Sequence, residues 1–86
     1  MMKERKKALV TGGATGIGRS AVLALAKAGY DIAINYASSA KGALATAAEA
    51  QALGAQTMLV QCDVSDDAAV RNMMKTIEAE FGHLAR

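Results

Sequence analysis

The sequence predicts an α/β fold, a three-stranded parallel sheet laid out β-α-β-α-β-α with strand order 3-2-1. Three observations carry that expectation. Short apolar runs alternate with longer segments of helical spacing, and glycines stand where one element gives way to the next. At 86 residues the chain makes one small domain and no more. Strands and helices alternating through short connections call for parallel pairing with right-handed crossovers. The helices after the first two strands should then cover one face of the sheet, and the last helix the other.

Lys7 to Thr11 reads as the first strand, with Ala8-Leu9-Val10 as its apolar run. A helix follows from about Gly16 to Ala28. Its apolar residues Ile17, Ala21, Val22, Leu25 and Ala28 recur at three- and four-residue steps, which predicts one buried face. Gly29 falls where a helix-ending glycine belongs. Asp31 to Tyr36, around Ile32-Ala33-Ile34, is the second strand. Ser38 to Leu53 is helical and again ends on a glycine, Gly54. Gln56 to Val64, around Met58-Leu59-Val60, is the third strand. Ser65 is the expected cap of the last helix, with Asp66 and Asp67 set favourably against its dipole. That helix carries an apolar stripe of Val70, Met73, Met74, Ile77 and Phe81, and Gly82 follows it. The methionines read as core packing. Together the elements form one mononucleotide-binding half of a doubly wound, Rossmann-like fold.

Composition narrows the function classes. The chain is 52% hydrophobic and 21% charged, without proline, as soluble globular proteins are. A net charge of +2 gives no reason to expect nucleic acid or a membrane surface as partner. The basic opening Met1 to Lys7 resembles the start of a secretory signal, but Thr11-Gly12-Gly13 cuts the apolar run behind it. No uncharged apolar stretch approaches the roughly 18 residues that span a bilayer. The lone Cys62 sits in an apolar segment and is expected to be a buried thiol in a reducing cytoplasm. His83, the one histidine, is expected at the surface near the end of the chain.

The chemistry is concentrated in Thr11-Gly12-Gly13-Ala14-Thr15-Gly16-Ile17-Gly18, between a strand and a helix. A glycine-rich turn there lets the backbone approach an anion closely and aims the first helical N–H groups at it. Gly12 would serve the tight turn, Gly16 the pyrophosphate approach and Gly18 the helix–strand contact. A rival pattern lies in the same residues. Gly13 to Ser20 nearly matches the Gly-x-x-x-x-Gly-Lys-Ser/Thr loop of nucleotide hydrolases, with Arg19 in place of the lysine. Arginine keeps the charge without the compact ammonium geometry, which disfavours that reading.

The spacing Thr-Gly-x-x-x-Gly-x-Gly resembles the cofactor loop of the short-chain dehydrogenases/reductases, and the resemblance runs to about Leu84. Within that family, Phe81-Gly82-His83-Leu84 is similar to the segment before the fourth strand of 3-oxoacyl-acyl-carrier-protein reductases and bacterial glucose dehydrogenases. The resemblance implies that residues 1–86 are the amino-terminal part of a single NAD(P)-binding domain, and that the parent activity is oxidoreduction of a carbonyl or alcohol. It implies cofactor contacts from Gly12, Ala14, Thr15, Gly16, Ile17 and Gly18. Adenosine recognition would fall to Tyr36, Ala37 and Ser38 at the end of the second strand, and to Asp63 and Val64, with Asp63 near the adenine. A carboxylate after the second strand would grip the ribose hydroxyls and repel a 2′-phosphate. None stands there, so NADP is favoured over NAD. Ser38, Ser39 and Lys41 are candidate substitutes for a missing arginine, equally explained as helix caps or solvated surface.

The family's catalytic serine and Tyr-x-x-x-Lys pair are expected beyond Arg86. Neither tyrosine fills in, since Ile34 stands four residues after Tyr30 and Ala40 four after Tyr36. No catalytic or metal-binding residue is therefore assigned. The alternative is a non-catalytic nucleotide-binding or interaction module made as a short chain. In either case the first strand would present an open edge, so self-association or capture of a complementary chain is expected there.

Overall fold

The second strand is buried along almost its whole length because it runs between two others. The structure, a computed structural model, describes residues 5–13, 16–82 and 84. The elements are β1 (Lys7–Val10), α1 (Gly16–Lys27), β2 (Asp31–Tyr36), α2 (Ala40–Ala52), β3 (Thr57–Gln61) and α3 (Asp67–Glu80). The sheet runs β1-β2-β3 and both pairings are parallel. Lys7 lies opposite Asp31 and Val10 opposite Ile34, while Ile32 faces Thr57 and Tyr36 faces Gln61.

Side chains on a strand alternate between faces, so β2 feeds two separate cores. Ile32 and Ile34 pack on one side with Val10, with Val22 and Ala26 of α1, and with Ala47 and Ala50 of α2. Ala33 points the other way, into a cluster with Cys62 and with Met73 and Ile77 of α3. The first two helices, each the crossover between two parallel strands, thus cover one face, as a common hand requires, and the third covers the other. Small residues at the α1–α2 side let both helices sit close to the strands. Gly29 and Gly54 follow their helices with φ near +96°, the left-handed geometry in which a side chain is strained.

Several element details differ from the expectation. Of the apolar stripe expected along α1, Val22 is buried and Ala21 and Leu25 partly so, whereas Ile17 is 90% exposed and Ala28 is also exposed. Ile17 sits in the first helical turn, past the end of β1, so no strand lies beneath it; Ala28 lies beyond the last residue of α1. The third strand stops at Gln61, since β2 ends opposite it at Tyr36. Ser65 does not cap α3. Its hydroxyl is taken by the Asp63 carboxylate at 2.7 Å, and Asp66 accepts instead from the backbone N–H groups of Ala68 and Ala69 at 3.0 and 3.1 Å. Asp67 does lie in the first turn of α3. In α2 the cap is Ser39, whose hydroxyl accepts from the Gly42 N–H.

The amino-terminal end of the sheet is fastened by a buried carboxylate. Asp31 is 4% exposed, and its Oδ1 accepts from Arg5 Nε at 2.7 Å and from the Gln56 N–H at 2.9 Å. Arg5 also donates to the Tyr30 carbonyl at 2.9 Å. One oxygen therefore ties the segment before β1 and the segment before β3 to the start of β2. Removing it leaves the Arg5 Nε–H and the Gln56 N–H without that acceptor. Asp31→Ala should lower the unfolding free energy by about 2 kcal/mol, read from urea denaturation.

Candidate functional site

In a parallel sheet all the strands deliver their following loops to one edge, and here three loops meet there. They are Thr11-Gly12-Gly13 after β1, Ala37-Ser38-Ser39 after β2, and Cys62 to Asp66 after β3.

The first loop is shaped by what its glycines lack. Gly12 has φ +66° and is exposed. Gly13 is buried, and its N–H donates to the Asn35 carbonyl at 2.9 Å. A Cβ there would stand 2.5 Å from Ile34 Cγ2. A Cβ on Gly18 would overlap the carbonyl oxygen and carbon of Gly12. The first turn of α1 therefore lies directly against the exit of β1, and only glycine permits it. Gly16, by contrast, opens the helix with φ +55° and nothing within 4 Å of where its side chain would be. The amino-terminal turn of α1 holds no acidic residue. The positive end of its dipole therefore suits an anion, and nothing among the described residues lies within 4 Å of a side chain built on Gly16. Ala14 and Thr15, both expected to contact cofactor, lie outside the described residues, as does His83.

Arg19 does not take the place of a hydrolase lysine. It pairs with both carboxylate oxygens of Glu49 and so is turned toward α2.

At the end of β2, Tyr36 is half-buried while Ala37 and Ser38 are exposed. The Ala37 carbonyl accepts from the Gln61 side chain at 3.1 Å, which fixes this turn against the last residue of β3. Ser39 is occupied as the α2 cap, leaving Ser38 and the exposed Lys41 outside that role.

After β3, Asp63 is exposed. The Ser65 hydroxyl, and then the Ser65 backbone N–H, donate to its carboxylate and hold its pKa below the ordinary value. It therefore stays ionised through the neutral range. Val64 is 52% exposed, so Asp63 and Val64 both present their side chains at the sheet edge, as Ile17 does. Cys62, just before them, is a free thiol facing the α3 core.

One residue of this edge escaped the sequence reading. Asn35 is 2% exposed, and its amide donates to the carbonyls of Val60 and Cys62 at 3.3 and 3.1 Å. A polar residue closing the otherwise apolar run Ile32-Ala33-Ile34 was the signal for it. Among the described residues no three His, Cys, Asp or Glu side chains stand together to hold a metal ion, and no helix is long and apolar enough to cross a membrane.

Comparison with known proteins matches residues 6–85 to the family described as short chain dehydrogenase. The chain is 45% identical over 83 residues to the 3-oxoacyl-[acyl-carrier-protein] reductase FabG of Staphylococcus aureus, covering 96% of this chain and 34% of that protein. It thus spans about a third of the length of such relatives. A second relative, the short-chain dehydrogenase/reductase homolog YusS of Bacillus subtilis, is 44% identical over 77 residues, which are 90% of this chain and 71% of YusS. Among solved structures, a short chain dehydrogenase from Burkholderia cenocepacia in complex with NADP superimposes with a TM-score of 0.83 at 45% identity, over 92% of this chain and 32% of that one. The glycine cradle, the parallel sheet and these likenesses agree, and the chain belongs to the short-chain dehydrogenase family.

Proposed function

We propose that residues 1–86 are the amino-terminal, NAD(P)(H)-binding part of a single Rossmann-type domain, and that the parent activity is oxidoreduction of a carbonyl or alcohol. The observation that carries this reading is the glycine cradle. Gly18 seats α1 against Gly12, and the helix amino terminus above Gly16 is left open to an anion. Gly12, Ala14, Thr15, Gly16, Ile17 and Gly18 hold the pyrophosphate. Tyr36, Ala37 and Ser38 flank the adenosine ribose, and Asp63 with Val64 lies against the adenine. The strand-end loops follow the order of these groups along a dinucleotide. The nicotinamide, when bound, supplies or accepts a hydride. The chain's own described residues bind and orient it.

The names of the relatives support a carbonyl or alcohol as the parent substrate class. NADP(H) is the preferred cofactor, because Tyr36-Ala37-Ser38 offers no carboxylate to repel a 2′-phosphate, and the Burkholderia structure is itself an NADP complex. The buried free thiol of Cys62 supports a cytoplasmic setting.

A second reading has its own support. YusS is short enough that the matched residues make up 71% of it, so the family has a member of comparable size. On that reading the chain is a non-catalytic nucleotide-binding or interaction module.

Taken alone, the 86-residue chain leaves the free side of β1 with no strand beside it among the described residues. A second copy or a complementary chain pairs there.

Three measurements test these statements. Gly16→Leu, with its fold checked by circular dichroism, should abolish dinucleotide binding in calorimetry; an affinity equal to wild type refutes the pyrophosphate assignment. Side-by-side titration at fixed ionic strength should favour NADP(H), and a clear preference for NAD(H) shows that the neutral ribose end does not select. Sedimentation across a concentration series should show the mass rising with concentration, whereas a compact, cooperatively unfolding monomer at high concentration overturns pairing through β1.

A further inference from the structure

Asn35 touches both ends of the proposed site without reaching its surface. Its backbone carbonyl accepts from the Gly13 N–H at 2.9 Å, inside the glycine loop. Its side-chain amide donates across the sheet to the carbonyls of Val60 and Cys62, and lies 3.6 Å from Met73 Sδ in the α3 core. The second of those carbonyls matters more. The β2–β3 ladder ends with Tyr36 opposite Gln61, so the Cys62 carbonyl falls past the last paired residue. The Cys62 N–H still donates to the Tyr36 carbonyl at 3.0 Å, but the next peptide, Cys62–Asp63, makes no ladder bond of its own. The Asn35 amide sets its direction instead, drawing the Cys62 oxygen inward.

A trans peptide is planar, with its C=O and N–H pointing in opposite directions. All the peptides described here are trans. With the Cys62 oxygen turned to Asn35, the Asp63 N–H points to the opposite side of that peptide, away from Asn35, in a residue exposed at the edge. We infer that Asn35 is a positioning residue for the adenine end of the dinucleotide site, orienting the Cys62–Asp63 peptide so that Asp63 offers both its N–H and its carboxylate to the base. The inference rests on the dinucleotide reading above. It adds a dependence which that reading does not contain: the adenine end needs the Asn35 side chain, whereas the pyrophosphate end needs only its backbone.

That asymmetry gives the test. Amide-resolved NMR titrations of wild type and Asn35→Leu are run with adenosine 5′-monophosphate and, separately, with inorganic pyrophosphate. The variant keeps the backbone carbonyl that holds Gly13 and removes the amide. Its affinity for the monophosphate should fall about tenfold or more, the scale of a buried hydrogen bond lost, while its affinity for pyrophosphate stays at the wild-type value. A general loosening of the fold would weaken both ligands together, and that result overturns the inference. So does a variant that binds the monophosphate as wild type does. A wild type that binds neither ligand overturns the dinucleotide reading and this inference with it. Should Asn35→Leu fail to fold, the wild-type spectrum decides: the Asn35 side-chain N–H resonances should move as the monophosphate saturates, and stationary resonances refute the coupling.

Discussion

Everything in this small fold is hung on β2. It is paired on both edges and covered on both faces, and Ile32, Ala33 and Ile34 are wholly removed from solvent. A strand so enclosed can carry polar side chains only where each finds a partner. The two it carries stand near its ends. Asp31 gathers the segments entering β1 and β3, and Asn35 gathers the segments leaving them. The apolar middle supplies the cohesion, while the polar ends set where the neighbouring chain segments begin and turn.

The arrangement of the edge that carries the three loops follows from that central strand. Parallel pairing brings the three exits together, and the lateral order of the strands becomes the order of the loops. The glycine loop is then stiffened from two directions. Gly13 is pinned to β2 through its N–H, and Gly18 is pressed on Gly12 by the approach of α1. The ionised Asp63 at the far side is likewise held in place, by Ser65.

Much of this was legible in the residues, and the parts that were not share a cause. Glycine spacing revealed the loop because the requirement for no side chain leaves its mark in the residue identity itself. The stripe Met73, Ile77 revealed the buried face of α3, and Gly29 and Gly54 revealed two helix ends, for the same reason. Ile17 misled because helical period describes a face of a helix without saying how far the sheet extends beneath it. Ser65 and Asp66 are both good caps in isolation; α3 begins at Asp67, which puts Asp66 in the cap position, while Ser65 donates its hydroxyl to Asp63. Asn35 was missed because its partners are carbonyls on another strand, which every residue possesses and no sequence marks.

The parallel register also governs how the chain reaches this form. Lys7 meets Asp31, and Ile32 meets Thr57, each pair roughly two dozen residues apart along the chain. No hairpin is available to start the sheet, and each strand pair closes across a connection that holds a whole helix. Closing such loops costs entropy before any ladder bond repays it. The helices should therefore take shape first, with β2 the last element to find both its neighbours.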